Sequence, residues 1–483
     1  METRERLLVL RPIAAWFSGA IWTVVIGILV ASSIWIADIS SSGILIVAIV
    51  LSLLLPMLFK SIQGNLHMFE PLTMTNVSLG MMFVGRPLAD LITHTFDHAG
   101  YSVIPTFTEA LVVALIGITA LQIGYALPIG QHWSRYLPRP ARFHPMRASL
   151  AAWIYLFIGG LLFWLFIHQS GGLGLLLFLL QGRAESDNDL FISSTGYLYG
   201  GVLLTAASAL IFFALGTAAR RRIYLLWFVV VILPLLIFYG ARGDRLQLLP
   251  LTIATPTFWY LLKNKRPRVR TLAIGVLIGL SVLGWMRDLR ISGQRGDVQN
   301  DLVKALMSPI EQFGEILQGA DAEMFDSLAN ELVVVPGQLP FQHGAIAMDV
   351  VIRAIPRPLW PDKPLESNDA VVNALWPEHY ALSRASPASS LIGSLYADSG
   401  LYTVAFGMFL IGICMSTLWW WFQRNSESVL AILIYSMALP LVVILMRGTI
   451  PDTMARALFI LIPLCLLHVV MKLRLGFSSK ISN

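Results

Sequence analysis

Charge is scarce in this sequence. Asp, Glu, Lys and Arg make up 13% of its 483 residues, against about 25% in an ordinary soluble domain. That scarcity excludes a solvated globular protein and a disordered chain. It also excludes a nucleic-acid binder, despite a formal charge of +6. Cysteine is almost missing too. Cys414 and Cys465 both fall in apolar runs, which leaves no disulfide framework and no zinc site built on cysteines. No G-x-x-x-x-G-K-[ST] occurs, so the chain carries no P-loop ATPase. There is no H-E-x-x-H, and the D-N-D of Asp187-Asn188-Asp189 is too weak to suggest a metal. No internal repeat is visible, which weakens a transporter built from inverted halves.

What the sequence has instead is apolar length. Residues of the AVILMFWYC set make up 56% of the chain, and the mean hydropathy is +0.71. A membrane span needs about 20 apolar residues. Runs of that size recur at about 13–37, 43–60, 72–92, 107–127, 148–168, 197–217, 223–240, 246–262, 271–286, 398–420, 428–446 and 456–473. The expected fold is an all-α polytopic membrane protein of about 12 transmembrane helices. The first run is too long for a signal-peptide core and lacks a cleavage site, so it is read as a retained span. The run at 72–92 contains Arg86, Pro87 and Asp90 and is expected to be broken or re-entrant. Arg86 and Asp90, four apart, could also simply satisfy each other.

Lysine and arginine set the orientation. With the N-terminus inside, alternate loops collect 20 of the 34 basic residues, including Lys60, Arg135, Arg147, Arg220, Lys263, Arg266, Arg424 and Lys472. Both termini are therefore expected in the cytoplasm. Most of the extramembrane mass then lies outside, in loops at about 169–196 and 287–397. The longer loop holds 14 acidic and 8 basic residues. The chain divides into spans 1–9 (1–286), a large periplasmic loop (287–397) and spans 10–12 (398–483).

The candidate chemistry lies on that outer side. Proline fixes φ, and Arg353 to Pro364 combines four prolines with Arg353, Arg357 and Lys363. Stiff backbone bearing arginine forks suits a phosphate or carboxylate site; the alternative is a set of side chains snorkelling to the headgroups. Arg183 follows a short apolar stretch expected at the outer interface. Arg242 and Arg245 sit in a tight turn between two spans, where charge is costly and usually functional. Arg447, Asp452 and Arg456 bound another outer turn, with mutual pairing as the simpler reading. Three classes of function remain. An enzyme acting on a polyprenyl-diphosphate sugar would use arginines to take up charge on the leaving group, and a carboxylate or histidine to deprotonate the acceptor. A flippase or transporter would place its basic residues inside the spans, which are nearly free of charge here. A membrane scaffold would leave the arginines unexplained.

The order of these outer elements resembles the Wzy-type O-antigen polymerases, also called oligosaccharide repeat-unit polymerases. The resembling residues are Gly172-Leu173, Arg183 and Gly196-Tyr197-Leu198; Gly240-Ala241-Arg242-Gly243; Ile355 to Pro364; and Gly393 to Gly400, a small-residue lead-in to a late span. The resemblance implies a glycosyltransferase with a GT-C-like membrane fold in the bacterial inner membrane. It would polymerise undecaprenyl-diphosphate-linked oligosaccharides on the periplasmic face, with no cofactor. The growing glycan would pass from its lipid carrier to the incoming lipid-linked unit. Arg183, Arg242 and Arg357 are then expected on the diphosphates, with Arg245, Arg353 and Arg384 in support. His343, Glu378, His379 and Asp398 are the candidate bases. Trp360, Trp376 and Tyr380 either stack on sugars or belong to the interfacial belt. A chain-length regulator is a further candidate partner. An O-antigen ligase shares the donor and the membrane fold and stands as the alternative, together with a flippase.

Overall fold

A computed structural model describes residues 41–98, 100–172, 196–242, 245–268, 309–319, 322–355, 366–377 and 389–472, with isolated positions between them. It is a helical bundle with one two-stranded hairpin among the described residues. The helices are α1 (Ser41–Ile62), α2 (Pro71–Gly80), α3 (Arg86–Thr93), α4 (Phe107–Ala126), α5 (Ile129–Trp133), α6 (Pro145–Gln169), α7 (Gly196–Tyr199), α8 (Gly201–Thr217), α9 (Ile223–Arg242), α10 (Arg245–Leu262), α11 (Pro309–Gln318), α12 (Met324–Val334), α13 (Ala345–Ala354), α14 (Ser367–Leu375), α15 (Leu391–Ser399), α16 (Leu401–Arg424), α17 (Val429–Arg447) and α18 (Ile450–Lys472). The hairpin pairs β1 (Asp97–His98) with β2 (Tyr101–Ser102), antiparallel.

Among the described residues, seven helices are long and apolar enough to cross a membrane: α1, α4 with its preceding turn, α6, α9, α16, α17 and α18. The protein is thus a multi-pass all-α membrane protein. α8 is a shorter apolar helix; nearly all of it is buried among its neighbours. The expected span at 13–37 lies outside the described residues, and 271–286 is described only at isolated positions. Outward-facing apolar rows mark the lipid side. On α9, Ile223, Leu226, Val230, Leu233 and Ile237 are all more than 48% exposed at helical spacing. A row of this kind fits hydrocarbon and would be a liability in water.

Between helices, small residues replace the hydrophobic driving force that lipid cannot supply. A Cβ on Gly124 of α4 would fall 2.1 Å from the Phe409 carbonyl of α16. One on Gly412 of α16 would fall 2.3 Å from the Leu121 carbonyl. The two backbones touch. Gly159 of α6 and Gly201 of α8 repeat the arrangement, each facing the other's carbonyl oxygen.

The contacts sort the loops into two ends. At one, Lys60 pairs with Glu70, Arg147 donates to the Val470 and Met471 carbonyls, Arg424 to Gln131 and Arg266 to Gly64. These are the segments that the lysine and arginine placement groups on one side. At the other end lie the hairpin, helices α11 to α15 and the α17–α18 turn.

Within the large loop, α11 and α12 are separate helices, the break falling near Gly319. The late span does not begin at 398. It begins at Leu401, after Gly400, whose φ of 69° suits a residue without a side chain, and the short helix α15 precedes it. The segment 71–93 is helical almost throughout, its interruption being a π-helical turn at Met81–Gly85.

Candidate functional site

The large loop docks on the bundle through α12. Phe325 packs edge-on against Phe107 at 4.9 Å, and Thr106 donates to the Ala329 carbonyl at 2.8 Å. Beneath this contact sits a buried charge network. The Arg86 guanidinium reaches Asp90 at 3.1 Å and Asp326 at 2.7 Å, and donates to the Leu317 carbonyl. His98 from the hairpin lies 3.5 Å from Asp326 and 3.6 Å from Glu323. Burial holds the His98 imidazole below its ordinary value; Asp326 opposes that and Arg86 adds to it. The Arg86–Asp90 pair anticipated from spacing is therefore one side of a larger network, and Asp326 is the residue that ties the loop to it.

Next to α12 the surface opens into a small cleft. Its walls carry Glu331, Gln342, Asp349, Glu366, Ser389 and Thr449. The acids differ in their commitments. Asp349 accepts the Ser367 amide at 2.8 Å and the Ser367 hydroxyl, which caps the start of α14. Glu366 holds Arg353 at 2.7 Å. Glu331 is 3% exposed. Its Oε1 accepts the Ser389 hydroxyl, while its Oε2 has no hydrogen-bond partner. Burial pushes its carboxyl from an ordinary 4.5 up to about 8, with the Ser389 hydroxyl pulling the other way. Gly393 makes room for the group: a Cβ there would lie 1.9 Å from Oε2.

One rim of the cleft is the α17–α18 turn, through Thr449 and Pro451. Asp452 there binds Arg353 and Arg456, each at 3.1 Å. Arg447 lies within electrostatic reach of Arg456 and Glu323. Three arginines thus converge beside the cleft, interleaved with carboxylates.

The structure brings some expected residues together. His343, at a positive φ of 43°, donates its amide to the Asp398 carbonyl at 2.8 Å, and its Nδ1 lies 3.4 Å from the Ser399 hydroxyl. Asp398 Oδ1 accepts the amides of Gly344 and Ile346 at 2.8 and 3.4 Å. It acts as a cap for α13, supplied from another helix. Arg353 is held by Glu366 and Asp452. Trp376 meets Tyr101 edge-on, and Trp360 is exposed. Arg242 ends α9 and Arg245 begins α10. Arg183, Arg357, Glu378, His379, Tyr380 and Arg384 lie outside the described residues. Sequence reasoning missed Glu331, Asp326, Glu323 and His98. Only Glu331 gave a local sign, as a lone carboxylate opening the apolar run Leu332 to Val335.

Among the described residues, no group of three His, Cys, Asp or Glu side chains is placed to hold a metal ion. Comparison with protein-family models, curated proteins and solved structures finds no match.

Proposed function

We propose that this protein is a membrane glycosyltransferase that polymerises undecaprenyl-diphosphate-linked oligosaccharide repeat units, the donor being a polyprenyl diphosphate already seated in the bilayer. The observation that carries the reading is the polar cleft at one end of the bundle, walled by a buried carboxyl and rimmed by an arginine-bearing turn. Transfer from a lipid diphosphate needs both: cations where negative charge develops on the leaving group, and a proton acceptor near the attacking hydroxyl. Arginine supplies charge in a fixed fork that matches phosphate oxygens. The GT-C-like fold, the inner-membrane location with cytoplasmic termini, the periplasmic placement of the cleft, and diphosphate roles for Arg183, Arg242 and Arg357 belong to the same proposal.

The test is a surface-lipopolysaccharide gel from a host deleted for the gene. A ladder reduced to core plus one repeat supports polymerisation. Core with no repeat points to the ligase instead, and an unchanged ladder overturns both. Alanine at Arg183, Arg242 or Arg357 in the complementing copy is expected to remove long chains while the protein still inserts. Full ladders from all three variants would refute the diphosphate assignment.

A further inference from the structure

The acids of the cleft divide into those with a structural task and one without. Asp349 caps α14, and Glu366 holds Arg353. Asp398, one helix away, caps α13. Glu331 is as deeply buried as any of them, yet half of its carboxyl is left over. Ser389 fixes Oε1, Gly393 leaves space against Oε2, and Oε2 receives no hydrogen bond. A buried acceptor without a donor costs about 1–3 kcal/mol. Folding alone gives no reason to keep it there: an apolar side chain of that size would relieve the cost. The nearby cleft walls offer Gln342, whose Oε1 is likewise unpartnered, together with Ser367, Asn368 and Ser394. Amides and hydroxyls around a carboxyl match the alternating donors and acceptors of a sugar edge.

We infer that this cleft seats the acceptor sugar and that Glu331 Oε2 takes the proton of the attacking hydroxyl. The inference rests on the glycosyltransfer reading and names the base within it. The acceptor oxygen forms a bond to the anomeric carbon of the donor glycan. The bond from that carbon to the phosphate oxygen breaks, and its electron pair leaves with undecaprenyl diphosphate. The hydroxyl proton passes to the Glu331 carboxylate. Ser389 is a positioning residue: its hydroxyl orients the carboxylate and stabilises its charge. The high proton affinity that burial gives Glu331 makes it a strong base once ionised, and activity should therefore rise as pH increases toward 8.

The experiment uses the full-length protein reconstituted in liposomes with a lipid-linked repeat unit, comparing wild type, Glu331→Gln, Glu331→Asp and Ser389→Ala. Chain lengthening and release of undecaprenyl diphosphate are followed from pH 5.5 to 9.5. Glu331→Gln is expected to lose at least about 100-fold in turnover, within the usual contribution of a general base, while binding of the lipid-linked unit holds. Ser389→Ala removes the one hydrogen bond to the carboxylate. It should move the acid limb of the pH profile upward by about one pH unit and retain most of the rate on the plateau. A purely structural Ser389 would lower the whole profile without moving it. Glu331→Asp, which keeps a carboxyl but shortens its reach, should recover part of the rate. Wild-type polymerisation matched by Glu331→Gln within about threefold, or an unmoved limb in Ser389→Ala, overturns the assignment and leaves the function standing. No polymerisation by wild type itself refutes the function on which the assignment depends.

Discussion

Replacing Glu331 by Gln should change how stability depends on pH, and the size of the change follows from burial. In the unfolded chain the carboxyl has its ordinary value of 4.5; in the fold it is pushed up to about 8. Below 4.5 it is protonated in both states and its contribution is fully present. Between 4.5 and 8 the unfolded chain gives up the proton while the folded one keeps it, so stability falls as pH rises. The whole displacement corresponds to about 5 kcal/mol, of which about 3 kcal/mol is lost by pH 7. Glutamine keeps the shape of the protonated acid and carries no such dependence. Unfolding of both proteins in detergent, at steps from pH 5 to pH 8.5, isolates the difference. The two should be similar near pH 5, and Glu331→Gln should become progressively more stable than wild type above it. A constant gap across the range would refute the reasoning, because it would mean that the carboxyl titrates alike in both states. A variant that gains stability as it loses activity is the pattern expected of a residue kept for chemistry.

Other perturbations follow from the same geometry. Gly393→Ala drives a methyl to 1.9 Å from Glu331 Oε2; thermal unfolding should register an overpacking cost of about 1–3 kcal/mol, and unchanged stability would mean that the carboxylate is not held there. Asp398→Ala should cost about 1 kcal/mol by uncapping α13 and open the loop to protease, whereas Asp398→Asn keeps an acceptor oxygen and should keep polymerisation. Loss of activity in Asp398→Asn without loss of stability would instead make Asp398 a base. Arg86→Met leaves Asp90 and Asp326 without their cation and should cost about 3–5 kcal/mol, with partial recovery in Arg86→Met/Asp326→Leu. A double variant no better than the single would argue against the pair as the anchor of α12.

The sequence made the membrane character plain because span length and charge scarcity are properties of single runs. Loop segregation was legible for a similar reason, since lysine and arginine counts need no partner. The joints were harder to read. Gly400 looked like one more small residue in an apolar stretch, and only its positive φ separates α15 from α16. The site was least legible because its parts come from distant segments. Arg86 and Asp326 lie 240 positions apart, and so no spacing connects them. Glu331 sits on a helix of the loop, Ser389 and Gly393 58 and 62 residues further on. Asp398, chosen from sequence as a possible base, proves to be engaged by two amides. A carboxylate that caps a helix and one that is left over in a cleft look alike until the partners are placed.

The most direct test of the central claim is product analysis by mass spectrometry after purified wild-type protein in liposomes is given a single lipid-linked repeat unit. The account predicts glycans of two, three and more repeats on the lipid, with one undecaprenyl diphosphate released for each unit added. Substrate recovered intact, or merely moved across the bilayer without lengthening, would contradict it.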